Sequence, residues 1–307
     1  MDPVAWAAGT ALAALIQIQG EPLAAGRFNG SVRLPLERAS GGDTPVLPFS
    51  SPAGPLRLLL DTGASSAMVT PAAAARLGLN SRSLPPQAFA LAGGGTECGA
   101  TQPRRAALPP LTLTGEGEGV RLLGAETLVL EVAALPPGVD GVLGIPALRQ
   151  LPIRVDPPGQ GLSLGHLALQ SGTAPAPTQR LPLSWRRGVP VLNLVGASGS
   201  VPALADTGAE GLFISPQLAS TLKPVGPETP LRLVGVCGEQ RVQRRTYTGL
   251  GLAGHSQGAM QVPVEAIVTD NPIFAAIGVK AILGQELLRQ RVQLWRLDAQ
   301  RPYLTLW

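Results

Sequence analysis

The chain has 307 residues, which is enough for about two domains. It is 45% hydrophobic and only 14% charged, and that balance excludes disorder along its whole length. The net charge of +4 comes from scattered arginines, with lysine only at Lys223 and Lys280; lacking a dense basic block and with 4% aromatics, the pattern argues against a nucleic-acid surface.

The first stretch, MDPVAWAAGTALAALIQIQG, is apolar from Val4 to Ile16. That is shorter than the roughly 20 residues of a membrane-spanning helix, so no stable span is expected. Ala11-Leu12-Ala13 resembles a small-residue cleavage site, but Asp2 and the lack of Lys or Arg argue against a signal peptide. Localisation, whether periplasmic, secreted or cytoplasmic, is left open.

Next come short apolar runs bounded by Gly and Pro: SVRLPLE, PLRLLLD, QAFALAG, LTLTG and ETLVLEVAAL. Their lengths and partial alternation predict strands. The run LRLLL leads directly into Asp61-Thr62-Gly63-Ala64. An unpaired charge buried there would cost several kcal/mol. After a short strand at 67–70, Pro71 opens a predicted helix with Thr70 as N-cap. A second short helix is predicted after Val142-Leu143-Gly144, over IPALRQL.

The second half repeats this order. TPVLPFSSPAGPLRLLLDTGA (44–64) aligns without a gap on VPVLNLVGASGSVPALADTGA (189–209), so Asp206-Thr207-Gly208-Ala209 matches the first block at an offset of 145. Ser215-Pro216 repeats Thr70-Pro71, and Ile282-Leu283-Gly284 followed by QELLRQR repeats the later helix. LAGGGTE (91–97) matches LVGVCGE (233–239). Four blocks recurring in one order indicate a duplicated domain. The organisation read from this is an N-terminal apolar segment (1–25), a first lobe (26–170), a linker rich in small residues and Pro (171–179), and a second lobe (180–307). Each lobe is expected to be a small β-barrel or sandwich with two short helices.

Duplicated lobes that pack like a symmetric dimer bring equivalent residues to the axis. Asp61 and Asp206 then face each other. Two such carboxyls cannot both ionise easily, and they share a proton. One serves as base toward a water while the other donates to the substrate carbonyl. Gly63 and Gly208 permit close backbone approach, and the Thr62 and Thr207 hydroxyls are placed to tie the two loops together. The glycine-rich segments Gly93-Gly94-Gly95 and Gly235-Val236 sit at hairpin-like positions, suited to covers over the site. His166 and His255 are far apart and show no ligand spacing, so no metal is expected. Cys98 and Cys237 fall in corresponding hairpin segments, where a bond would act as a latch. Nothing in their spacing specifies pairing, and free thiols are the expectation. Glu97, Glu239 and the pairs Arg104-Arg105 and Arg244-Arg245 read as exposed charges.

The paired DTGA blocks, each after an apolar strand and each followed by a hydrophobic-hydrophobic-Gly element, resemble the pepsin/retropepsin superfamily of aspartic proteases over roughly residues 30–307. They are more similar to its retropepsin-like bacterial branch than to pepsin, since neither hairpin segment carries the Tyr that pepsin-like enzymes place over the site. The resemblance implies an all-β, bilobal, pseudo-twofold aspartic-protease fold with short helices. It implies Asp61 and Asp206 as catalytic dyad, braced by Thr62 and Thr207, with 93–99 and 235–239 as flaps. It further implies an aspartic endopeptidase without cofactor, acting on peptide or protein substrates as a monomer whose lobes form an intramolecular pseudo-dimer. The alternatives are a catalytically inactive module of the same fold that binds peptides or protein partners, and lobes that pair between two chains.

Overall fold

The computed structural model describes residues 9–11, 14–18, 22–85, 89–93, 102–170, 179–197, 199–252 and 262–307. Strands dominate the described residues, with six short helices between them. No helix among them is long and apolar enough to cross a membrane.

Each half builds the same five-strand unit. In the first, strand Leu56–Leu60 lies antiparallel to Pro45–Phe49 and parallel to Gly141–Leu143. Strand Met68–Val69 then runs antiparallel to Gly141–Leu143 and parallel to the end of Glu116–Val129. In the second, Gly199–Ala205 lies antiparallel to Val189–Gly196 and parallel to Ala281–Leu283. Strand Leu212–Ile214 pairs antiparallel with Ala281–Leu283 and parallel with Val264–Val268. Strands covered on both faces read as continuous apolar runs, and Leu58, Leu59, Leu60, Ala203, Leu204 and Ala205 are all fully buried.

The helices form where the caps predicted them. Thr70 accepts from the Ala73 N–H at 3.1 Å at the start of helix Pro71–Arg76, and Ser215 accepts from the Leu218 N–H at 3.2 Å before helix Pro216–Ala219. Helices Ile145–Leu148 and Gln285–Leu288 follow the two hydrophobic-Gly elements. Helices His166–Leu169 and Pro272–Ile277 were not anticipated; the second starts on an Asn271 cap that accepts from the Ile273 N–H.

The halves share a sheet. Strand Ile153–Asp156 pairs antiparallel with Gln293–Arg296 in the register Ile153↔Trp295. Gly161–Leu164 and Ala25–Pro35 extend this sheet on one side, and Tyr303–Leu306 and Gln179–Pro182 extend it on the other. Trp295 is fully buried in it, and its indole N–H donates to Gln293 Oε1 at 3.0 Å. Of the linker read at 171–179, residues 171–178 lie outside the described residues.

One charge reading is corrected. Arg105 is buried, not exposed, because its guanidinium pairs with Glu126 across the neighbouring strand and also donates to the Pro22 carbonyl. That guanidinium holds the Glu126 carboxyl below its usual range. Arg104, Arg244 and Arg245 are in more open positions, the last two paired with Glu265 and Glu228.

Candidate active site

Each apolar strand stops at its aspartate because the chain there turns to meet the opposite lobe. The Asp61 N–H donates to the Leu143 carbonyl at 3.2 Å, and the Asp206 N–H donates to the Leu283 carbonyl at 2.9 Å. The hydrophobic-Gly element thus holds the first residue of each loop. It also holds the last, since Ile145 N–H donates to the Ala64 carbonyl and Gln285 N–H to that of Ala209. Glycine is required between them: a Cβ on Gly144 would lie 2.6 Å from the Ala64 oxygen, and one on Gly284 would lie 2.2 Å from the Ala209 oxygen.

The two loops then bind each other reciprocally. Thr62 N–H donates to Thr207 Oγ1 and Thr207 N–H donates to Thr62 Oγ1, each at 3.0 Å. The Thr62 hydroxyl donates onward to the Ala205 carbonyl at 2.7 Å, and that of Thr207 to the Leu60 carbonyl at 2.6 Å. Both threonines are fully buried, so every donor and acceptor in this lattice matters.

This lattice sets Asp61 and Asp206 together, both fully buried. Gly63 N–H donates to Asp61 Oδ1 at 2.7 Å, and Gly208 N–H donates to Asp206 Oδ1 at 2.8 Å. The other oxygen of each, Oδ2, has no hydrogen-bond partner. The loops approach so closely that a Cβ on Gly63 would fall 2.4 Å from the Asp206 carboxyl carbon, and one on Gly208 would fall 2.5 Å from that of Asp61. Burial and the neighbouring Asp206 raise the Asp61 carboxyl well above the usual carboxylate range. Burial also lifts Asp206, to about 6, while its contact with Asp61 and N–H groups of Gly208, Gly63 and Ala209 restrain the rise.

Two comparisons bear on this geometry. Residues 53–147 match the family model described as aspartyl protease. The solved aspartic proteinase from Irpex lacteus superposes with a TM-score of 0.51 at 14% identity, covering 90% of this chain and 97% of that one. The chain shares the fold of that aspartic proteinase, and its residues 53–147 carry the aspartyl protease family match. Basic 7S globulin from soybean is similar over 90% of this chain and 96% of that one, with a TM-score of 0.45 and 10% identity. No curated protein sequence matches the chain.

A hairpin of the second half reaches across to the first. In the second half, strands Lys223–Gly235 and Gly238–Thr248 close on the pair Gly235↔Gly238. The tip residues Val236 and Cys237 are each 3% exposed and pack in one cluster with Leu59, Ala64, Met68 and Val142 of the first half. This hairpin therefore crosses to the opposite DTGA loop. In the first half Gly93 ends strand Phe89–Gly93, which lies against helix Pro272–Ile277 of the second half; Gly94, Gly95 and Glu97 lie outside the described residues. Cys237 is disulfide-bonded, which corrects the expectation of free thiols. The other cysteine in the sequence, Cys98, lies outside the described residues.

Sequence reasoning missed two side chains that break the symmetry. Glu210, at the position of Ser65, crosses to the first half and accepts from the Asp43 N–H at 2.8 Å, the Thr44 N–H at 2.9 Å and the Thr44 hydroxyl at 2.5 Å. Gln285, at the position of Ile145, donates to the Thr207 carbonyl at 2.8 Å. The Ser65/Glu210 and Ile145/Gln285 mismatches in the aligned repeat were the visible signals. Glu239 pairs with Arg232 on the facing strand, consistent with a partly exposed hairpin charge.

Proposed function

We propose that the protein is an aspartic endopeptidase with Asp61 and Asp206 as its catalytic dyad. The observation that carries this reading is the pair of buried carboxyls, one from each half, set together by the reciprocal threonine bonds. Asp206, with more N–H donors, loses its proton first; Asp61 keeps its own. A water bound between the unpartnered Oδ2 atoms gives its proton to the Asp206 carboxylate and attacks the peptide carbonyl carbon. The Asp61 O–H donates to the carbonyl oxygen; as the C–N bond breaks, the proton held by Asp206 passes to the leaving nitrogen, and a hydroxyl of the intermediate returns a proton to Asp61. Thr62 and Thr207 position the dyad, and Gly63 and Gly208 allow its approach. The hairpins ending at Gly93 to Gly95 and at Gly235-Val236 act as flaps that receive an extended peptide by strand addition.

The same reading takes the chain as two duplicated lobes, 26–170 and 180–307, joined at 171–179. They act as one monomer of the retropepsin-like branch. Asp61→Asn and Asp206→Asn are each expected to lower peptidase activity at least ~100-fold with the fold retained. A statine-type mimic of the tetrahedral intermediate is expected to bind the native protein and to lose affinity in both variants. Full activity in either variant overturns the dyad. Peptide binding without turnover in the native protein identifies an inactive binding module instead.

A further inference from the structure

Asn271 is a buried side chain with a donor that the fold leaves unused. Its Oδ1 accepts from the Ile273 N–H at 3.0 Å and caps helix Pro272–Ile277. That bond fixes the orientation of the carboxamide, because only its oxygen can accept, and so Nδ2 is turned away from the helix. Asn271 is 3% exposed, and Nδ2 has no hydrogen-bond partner. It shares that condition with Asp61 Oδ2 and Asp206 Oδ2. A buried donor left unpaired is costly. The cap does not account for the cost, because a hydroxyl caps a helix without stranding a donor, as Thr70 and Ser215 do in this chain. Nor is the segment free to swing toward a partner. Thr269 N–H donates to the Ile214 carbonyl at 3.1 Å, and Thr269 Oγ1 accepts from Gln240 Nε2 at 2.7 Å.

The repeat relates this position to one in the first half. The parallel pairs Met68↔Leu128 and Phe213↔Ile267 are equivalent, so Val132 and Asn271, each four residues further on, are equivalent too. Val132 shares a cluster with Ala64 of its own DTGA loop and with Val236 and Cys237, the hairpin tip from the other half. Next to Asn271, Ile273 and Phe274 share a cluster with Ala209 of the second DTGA loop. Their helix lies against strand Phe89–Gly93 of the first half's hairpin. Each position therefore lies between a DTGA loop and the hairpin from the opposite half. The first half places an apolar valine there, and the second places an amide.

We propose that Asn271 binds the peptide substrate, with Nδ2 donating to a main-chain carbonyl on the second-half side of the scissile bond. This rests on the endopeptidase reading above. A peptide added to a hairpin edge bonds that edge through alternate residues, and the carbonyls between them point the other way. In a cleft closed to water, those carbonyls need donors from the opposite wall. Asn271 supplies one and Val132 cannot, so the two halves hold the peptide unequally. The unpaired amide destabilises the unbound protein and is satisfied only when peptide is in place.

The test is Asn271→Ser, which keeps an oxygen cap and removes the amide. For the best-cleaved member of a decapeptide library, KM is expected to rise about five- to tenfold with kcat little changed. A statine-type mimic spanning both halves is expected to lose affinity by a similar factor. Of two mimics truncated from either end, only the one that keeps the second-half residues should distinguish the variant from the native protein. The melting temperature is expected to equal or exceed the native value, because an unsatisfied donor is gone. An asparagine with a purely structural role would lower the melting temperature and leave KM as it was. Unchanged KM and mimic affinity, at any stability, overturn the inference. Equal loss of affinity for both truncated mimics overturns it as well, since the effect would then lie in the fold. If the native protein cleaves no peptide, the endopeptidase reading falls, and mimic affinity alone decides whether Asn271 binds peptide.

Discussion

The two DTGA loops share a backbone and differ in what surrounds it. Around Asp61 the next positions are Ser65 and, after the hydrophobic-Gly element, Ile145. Around Asp206 they are Glu210, which accepts from the Asp43 and Thr44 N–H groups of the first half, and Gln285, which donates to the Thr207 carbonyl. The backbone lattice is symmetric to within a few tenths of an ångström in each paired hydrogen bond. Symmetry places two carboxyls together, and the asymmetric surroundings make them unequal. Asp206 draws on N–H groups from both loops, Gly208 and Ala209 on its own and Gly63 across the axis, whereas Asp61 draws on Gly63 and Ala64 of its own loop alone. On the proposed endopeptidase reading, that difference makes Asp206 the base and Asp61 the acid.

The largest effect that sharpens this comparison is the pH response. Folded Asp206 keeps its proton to about 6, against an ordinary value of 3.8. Between those values the folded state binds more protons than the unfolded chain, so stability falls as pH rises across that window. The raised Asp61 carboxyl extends the same trend to higher pH. Melting temperatures from pH 4 to 7 are expected to decline for the native protein and to decline less for Asp206→Asn. A profile that is flat in the native protein and unchanged in the variant would mean the carboxyls are not perturbed. The acid limb of kcat/KM is expected near pH 6, as an apparent value of the pair.

Next in size is the lattice itself. Thr62→Val removes the acceptor for the Thr207 N–H and the donor to the Ala205 carbonyl, leaving two buried groups unsatisfied. Thr207→Val does the same to the Thr62 N–H and the Leu60 carbonyl. Each is expected to cost about 3 kcal/mol, and the double variant less than the sum, because the two sites share one network. Chemical denaturation in a double-mutant cycle measures this; strict additivity would show that the loops do not hold each other.

How much of this was legible depended on sequence range. The DTGA blocks, the hydrophobic-Gly elements and the caps at Thr70 and Ser215 are local patterns, and each formed as read. What was not legible is non-local. The bonds from Glu210 reach residues about 166 positions away, and the shared sheet pairs Ile153 with Trp295 through strands with no distinguishing pattern of their own. Arg105 looked exposed because its partner, Glu126, is set only once the strands pair in register. The N-terminal strands read only as an apolar segment because strand pairing depends on the edge they meet and leaves little signature in the added segment.

Glu210→Ala is expected to have a smaller effect than the threonine variants, about 2 kcal/mol. Three donors lose a charged acceptor, but the site is partly open to water. Its readout separates positioning from bulk stability: kcat should fall at temperatures well below unfolding, because the Asp43-Thr44 segment helps set one half against the other. Retained kcat with lowered stability would reduce Glu210 to a simple tether.

The smallest effect expected is from Gln285→Ile, which makes the second loop match the first. It deletes one hydrogen bond to the Thr207 carbonyl, and the isoleucine fills the space as Ile145 does in the other half. The cost is about 1 kcal/mol, read as a lower urea midpoint at an unchanged slope. The gap between this value and that of Thr62→Val is the informative quantity. Both side chains touch the same loop, but only the threonine bonds cross between the halves in both directions. If Gln285→Ile cost as much as Thr62→Val, the second loop would be held mainly from within its own half. The reciprocal bonds would then no longer account for the meeting of Asp61 and Asp206.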